Sequence, residues 1–125
     1  MAYIDSRGGA GFAIQPQTLG IAPQASLVAQ SATTATPTVL DGLSTRTTAI
    51  LVVASSAGVS AGSVQMQGSL DSVSWYSLGS AVSTTTASTV FAPVVTTTTP
   101  FRYVRALIAT AITGGTITAT VGASG

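Results

Sequence analysis

The side chains that could take part in chemistry are few in this sequence. The sequence has no lysine, glutamate, histidine or cysteine. Its charged residues are Asp5, Asp41, Asp71, Arg7, Arg46, Arg102 and Arg105. A Ser-His-Asp triad cannot be built without histidine, and a zinc site needs cysteine or histidine ligands. A phosphate-binding P-loop or a Schiff base would need lysine. We therefore expect neither enzymatic activity nor a bound cofactor or metal.

The only tryptophan lies close to one of these acids, in a stretch that reads as strand, turn and strand. Val64, Met66, Gly68 and Leu70 alternate with polar residues from residue 63 onwards, which is the period of a half-buried strand. Asp71-Ser72 then predicts a turn, because both side chains can bond to nearby backbone amides. We expect Trp75 to anchor the core or the base of a loop. The alternative is an exposed ring that stacks on a sugar.

Arg102, Tyr103 and Arg105 form the second group of candidate residues. With a period of two, Tyr103 and Arg105 share one face of a strand and Arg102 lies on the other. We expect an arginine to pair with Asp71 or Asp41, or to cover Trp75 by a cation–π contact. An intersubunit contact and a ligand-binding role are the alternatives. A calcium site at Asp41 and Asp71 is the weaker alternative to turn capping.

The length and composition of the chain indicate one domain with a nearly uncharged surface. The chain has 125 residues, of which 6% are charged, against an average of about 25%. A net charge of +1 cannot supply the phosphate contacts that nucleic-acid binding requires. No segment approaches the ~18 apolar residues of a membrane span, and we see no secretion signal at the N-terminus. Because a surface with so little charge favours association, we expect a homo-oligomer.

The first 25 residues differ from the rest of the chain. Glycines and two prolines interrupt any regular pattern, yet apolar residues recur singly. One interpretation is a disordered terminus. The other is an extended arm whose apolar residues enter pockets on a neighbouring subunit. The predicted contact residues are Tyr3, Ile4, Phe12, Ile14, Leu19 and Ile21.

Residues 26–125 carry the signals of a β domain. Residues 46–54 are nearly continuous in apolar character, which is typical of a strand buried on both faces. Threonine runs at residues 84–86 and 96–99 predict strand edges and exposed sheet faces. Towards the C-terminus Ile117, Ala119 and Val121 are predicted to face inward. About eight short strands separated by turns indicate an all-β, two-sheet antiparallel sandwich behind an extended N-terminal arm.

Two groups of residues give the chain a family resemblance. Ser69, Asp71 and Trp75, followed by Arg-Tyr-Val-Arg at residues 102–105, resemble the core of discoidin-like (galactose-binding-like) domains, with Ser72 at a position where glycine is usual. This resemblance implies a jelly-roll sandwich. The Ala/Thr-rich, lysine-free stretch at residues 40–55 is similar to small structural proteins of tailed bacteriophages. Both likenesses fall within residues 40–121.

These resemblances imply a function in assembly. We expect a capsid decoration protein on the virion exterior, made in the host cytoplasm, that binds the major capsid protein through its arm. A trimer would suit the threefold positions of a capsid. Asp71, Trp75, Tyr103, Arg102 and Arg105 are then expected to be structural. The alternative is a carbohydrate-binding or host-adhesion module, although the loops at residues 55–62 and 96–100 lack the ligand aromatics of carbohydrate-binding relatives.

Overall fold

The computed structural model of the chain describes residues 5–6, 9–10 and 21–125, with side chains for residues 21–125. The predicted arm contacts Tyr3, Ile4, Phe12, Ile14 and Leu19 lie outside the described residues. The strands are β1 Asp5–Ser6, β2 Gly9–Ala10, β3 Ile21–Gln30, β4 Leu40–Ser55, β5 Ala61–Ser69, β6 Tyr76–Ser77, β7 Val82–Ser83, β8 Thr89–Phe91, β9 Val95–Thr113 and β10 Ile117–Ser124.

All strand pairs are antiparallel. β1 pairs with β2, and the other eight strands form one hydrogen-bonded sheet in the order β3-β10-β4-β9-β5-β6. β7 pairs with β5 and β8 pairs with β4, beside this path. No helix occurs among the described residues. The prediction of an all-β, antiparallel fold is therefore confirmed.

The long strand β4 changes partner along its length. Residues 48–55 pair with β10, while its pairing with β9 runs from Leu40, opposite Val104, to Ala49, opposite Val95. That second ladder is interrupted, because four residues of β4 lie between Asp41 and Arg46 and one residue of β9 lies between their partners. Extra residues of this kind bend a strand and increase its twist. The bulge at residues 42–45 consequently projects from the sheet beside Arg102.

The core lies on one face of the strands. Val104, Ala106 and Ile108 of β9 are buried while the intervening residues are partly exposed. In β10 the buried residues Ile117, Ala119 and Val121 alternate with half-buried threonines, which confirms the prediction for this strand. Such alternation is expected where an antiparallel sheet covers the core with one face only.

Three details of the predicted burial were wrong. Residues 46–54 are not buried on both faces, since Ile50 is 36% exposed on the uncovered face of β4. Leu70 does not continue the inward alternation of β5, because the strand ends at Ser69 and Leu70 is 52% exposed in the following turn. Thr84 is buried rather than exposed, because its hydroxyl donates to the Gly62 carbonyl at 3.1 Å.

The sheet begins inside the region that the sequence assigned to the arm. β3 starts at Ile21, which is opposite Ala123 of β10, and Ala25 is opposite Thr120. Ile21 also packs against the core as a partly buried residue. Residues 21–25 thus belong to an edge strand of the sheet.

Candidate functional site

Charged and aromatic side chains gather where β4, β9 and β5 lie side by side. Asp41 is opposite Tyr103 on one side of β9, and Ser69 is opposite Tyr103 on the other. Arg105 is opposite Gln67 of β5. The register therefore brings together residues that are distant in sequence. We call this region the polar end and define it by Asp41, Gln67, Asp71, Trp75, Arg102, Tyr103 and Arg105.

Asp41 and Arg102 form a two-point ion pair across the β4 bulge. The guanidinium donates from Nε to Oδ1 at 2.9 Å and from a terminal nitrogen to Oδ2 at 3.1 Å. The hydrogen bond from Arg102 and one from the Leu43 amide lower the pKa of Asp41. The same carboxylate raises the pKa of Arg102. Because both side chains are well exposed to solvent, the pair fixes local geometry more than it stabilises the fold.

Asp41 also holds the neighbouring leucine in an unusual conformation. Its Oδ1 accepts the Leu43 amide at 2.8 Å, and Leu43 has a φ of 66°. A non-glycine residue in the left-handed region is uncommon. The adjacent Gly42 has no side chain, so the backbone of the bulge can lie close to the backbone of Arg102. A Cβ at Gly42 would lie 2.8 Å from the Arg102 carbonyl oxygen. The bulge therefore presents Leu43 to solvent, with 68% of its surface exposed.

Asp71 organises the turn after β5. Its Oδ1 accepts the amides of Ser74 at 2.8 Å and Val73 at 2.9 Å, and the hydroxyl of Ser69 at 3.0 Å. These bonds, in that order of importance, lower the pKa of Asp71. Ser69 in turn accepts the amides of Asp71 and Ser72. The carboxylate is thus used within its own turn, as expected of a structural residue.

Trp75 lies at the base of this turn and is only half-buried. The Arg105 guanidinium carbon lies 4.0 Å from the centre of the Trp75 ring, and its Nε donates to the Gln67 side-chain oxygen at 2.9 Å. Burial lowers the pKa of Arg105. Arg102 makes a longer contact of 5.2 Å with the Tyr103 ring. The predicted alternatives of an arginine pairing with Asp41 and an arginine covering Trp75 therefore both occur, with different arginines.

Two further polar side chains make hydrogen bonds in this part of the fold. Arg46 is buried in the β4 bulge, where its Nε donates to the Gly42 carbonyl at 2.9 Å. The Tyr76 hydroxyl donates to the carbonyl oxygens of Thr99 and Pro100, which holds the threonine run against β6. Burial raises the pKa of Tyr76.

A second candidate surface is an apolar cavity at the side of the sheet. It has a volume of about 350 Å³. One side of its opening is formed by β8 and the residues that follow it, and the other side by the segment that joins β6 to β7. We call it the lateral slot, which is lined by Leu51, Met66, residues 78–82, residues 90–93 and Val95. No charged residue is among its walls. The buried residues Leu51, Met66 and Leu78 form its floor, so the slot is an opening into the core.

The rim of the lateral slot carries the most exposed aromatic ring of residues 21–125. Phe91 is 75% exposed, and Val94 beside it is 62% exposed. At the other rim Gly79 has a φ of 72°, and a Cβ there would lie 2.7 Å from a Val95 methyl. Glycine at residue 79 therefore lets the two rims approach closely.

Sequence reasoning missed the lateral slot. Its walls come from β4, β5, β7, β8, β9 and the β6–β7 segment, and the apolar wall residues, taken singly, resemble ordinary core residues. The one available signal is the apolar run at residues 90–95, which has no polar alternation. A smaller apolar depression of about 150 Å³ lies where β3 begins, between Pro23 and Ile50.

The potential metal ligands among the described residues are dispersed. No three metal-ligating side chains lie together in residues 21–125. Asp41 and Asp71, the two aspartates of residues 21–125, are held by amides or by arginine, as the bonds above show. Within the same residues there is no helix with the length and apolar character of a membrane span. No family model, curated protein or solved structure matches this chain.

Proposed function

We propose that this protein is a structural virion protein. It decorates and stabilises a phage capsid by binding major capsid protein subunits, and its N-terminal arm crosses subunit boundaries. The lateral slot is the observation that supports this proposal best. Its floor is the buried core, and its rim residue Phe91 and the neighbouring Val94 are largely exposed to solvent. Exposed apolar surface of this kind marks a site of contact with another molecule.

The position of the arm supports the same proposal. β3 is an edge strand, so Ile21, where it begins, lies at the margin of the sheet. The segment before Ile21 contains five of the six predicted contact residues, and Gly8 to Gly20 carry no charge. A neutral segment with spaced apolar side chains can bury surface at a protein joint without desolvating charges.

A two-layer jelly-roll sandwich is the fold that we propose with this function. The pairing of β4 supports it, because β4 joins β9 on one side along residues 40–49 and β10 on the other side along residues 48–55, so its two halves belong mainly to different neighbours. Strands that pass from one layer to the other in this way turn corners through bulges or bends. The bulge at residues 42–45 is such a place.

The proposal is tested by binding to capsids that lack this protein. The double variant Phe12→Asp/Ile14→Asp places charge on the apolar arm positions, and Gln15→Asp/Gln17→Asp adds the same charge at polar positions. We expect the first variant to lose at least tenfold in capsid affinity in co-sedimentation, and the second to bind nearly as well as the original protein. Equal binding by both variants would remove the arm from the mechanism, and no binding by the original protein would refute the decoration function.

A carbohydrate-binding or host-adhesion module is the second candidate. The cluster of Trp75, Arg105 and Gln67 favours it, because an aromatic ring beside hydrogen-bonding groups can recognise a sugar. One face of the Trp75 ring, however, is occupied by Arg105. Specific binding on a glycan array that Trp75→Ala abolishes and Val73→Ala preserves would favour this candidate over capsid decoration.

A further inference from the structure

We infer that the lateral slot receives residues 11–20 of a second copy of this chain. The inference rests on the arm proposed above, and it names the surface that the arm enters. Phe12 and Ile14, two residues apart in sequence, are the side chains that we assign to the slot.

The chemistry of the two surfaces is matched. The slot walls are apolar and carry no charged residue, and residues 11–20, GFAIQPQTLG, also carry none. In an extended segment Phe12 and Ile14 point to the same side, while Ala13 and Gln15 point away. The volume of about 350 Å³ lies within the roughly 300–1,000 Å³ of ordinary binding pockets. Two adjacent apolar side chains are therefore a suitable occupant.

The backbone beside the slot can also accept a strand. Among residues 21–125, β8 pairs only with β4 and β7 pairs only with β5, so each leaves one edge without a ladder. A segment that adds to such an edge gains main-chain hydrogen bonds, and pockets beside the edge select its side chains. Pro16 cannot donate a backbone hydrogen bond, but Phe12 to Gln15 precede it and keep their amides.

The topology favours a second copy over the same chain. The chain leaves the sheet at β3, and β10 and β4 separate β3 from β8. Three strand spacings correspond to about 14 Å across the sheet. A segment from the same chain would have to cross these strands within residues 15–20, where Pro16 restricts the backbone, and then turn into the slot. A segment from a neighbour can enter along β8 instead.

This contact joins two different surfaces, the arm of one copy and the slot of the next. Such heterologous contacts form a ring if the rotation closes and a filament if it does not. Each copy then donates one arm and accepts one arm, so every slot in a closed ring is filled by a neighbour.

Engineered disulfides test the contact in the full chain, which has no cysteine of its own. Ile14→Cys/Ala81→Cys places one thiol on the arm and one on the exposed slot residue Ala81. Ile14→Cys/Ala87→Cys is the control, because Ala87 is exposed in the same loop region but does not line the slot. We expect covalent multimers after mild oxidation from the first variant and at least fivefold fewer from the second. Intrachain cross-links alone, equal yields from both variants, or no cross-link would overturn the inference.

A mixing experiment gives an independent readout. Phe12→Asp/Ile14→Asp should disable the arm, and Ala81→Arg should block the slot. We expect each variant alone to have the 12.3 kDa mass of one chain in light scattering, and the mixture to have the mass of a dimer. Ala87→Arg should assemble like the original protein. If Ala81→Arg assembles like the original protein, or if the mixture stays monomeric, the inference fails.

The two proposals fail separately. Slot-to-arm cross-links in a protein that does not bind capsids would refute decoration and leave the arm exchange intact. Capsid binding by a protein that gives no slot-to-arm cross-link would refute the exchange and leave decoration intact.

Discussion

The polar end and the lateral slot differ in whether their side chains have partners within the same chain. At the polar end, each described aspartate and arginine has a partner within the same chain, such as Arg102 for Asp41 and the turn amides for Asp71. At the slot, apolar walls face solvent and no described residue covers them. The polar end therefore has its partners within one chain, whereas we propose that the slot is filled by another chain.

The residues that looked most suited to chemistry in the sequence are therefore not the residues that we assign to binding. The residues with reactive side chains, including the only tryptophan, are used for local geometry. The surface that we assign to binding consists of residues with no reactive group at all. Charged groups are costly to leave without partners when they are desolvated, so a fold tends to satisfy them internally. An uncovered apolar surface has no such internal solution and indicates a partner.

The largest expected effect comes from the floor of the slot. Met66 is 1% exposed, and Met66→Ala removes most of a buried side chain beside an existing cavity. We expect the free energy of unfolding to fall by roughly 2–5 kcal/mol in urea denaturation. Leu70→Ala, in the exposed turn of the polar end, should change it by less than about 0.5 kcal/mol. Similar losses for both variants would show that the slot floor is not part of the cooperative core.

A filled slot should stabilise the isolated chain. Ala92→Leu adds apolar atoms to a partly buried wall of the slot. We expect a gain of roughly 0.5–2 kcal/mol in unfolding free energy, which is typical of cavity filling. The same variant should lose the arm-dependent assembly. A stabilised protein that still assembles would separate the cavity from the binding site.

The cation–π pair at the polar end should have a smaller effect. Arg105→Ala removes the guanidinium from the face of Trp75, a contact worth about 0.5–1 kcal/mol at an exposed site. Because Trp75 is the only tryptophan, its fluorescence emission reports the change directly, and we expect a red shift. Unchanged emission would contradict the stacked geometry. Arg102→Ala, at the other arginine, should leave the emission nearly unchanged.

The smallest effect should come from the charge of Asp71 and should depend on pH. The folded chain lowers the pKa of Asp71 below the unfolded value of 3.8, so the ionised carboxylate is the stabilising form. This contribution is present above pH 3.8 and is lost as the pH falls through the folded pKa. Asp71→Asn keeps an acceptor oxygen but cannot ionise. We expect it to lower the urea midpoint slightly at neutral pH, and the difference should disappear in acid. A difference that grows in acid would contradict this assignment.

The fold class was predictable from the sequence, but the contacts between distant strands were less predictable. The alternation in β10 and the glycine turn before it predicted that strand correctly, because inward and outward residues differ in polarity there. The apolar run at residues 46–54 was misleading, since β-branched residues are also common on an exposed strand face. The sequence left open whether an arginine pairs with Asp41 or with Asp71. That choice and the walls of the slot depend on register between distant strands, which no local pattern encodes.

The central position of β10 has a consequence for how the protein folds. β10 is the last strand in the sequence, yet it lies between β3, the first strand of the main sheet, and β4. The sheet therefore cannot form completely until residues 117–124 have left the ribosome, and contacts this distant in sequence slow folding. Before that moment β3 and β4 both offer uncovered edges, which are sites of mispairing during synthesis. Deletion of residues 117–124 would consequently affect the yield of folded protein more than a deletion of similar length before Ile21.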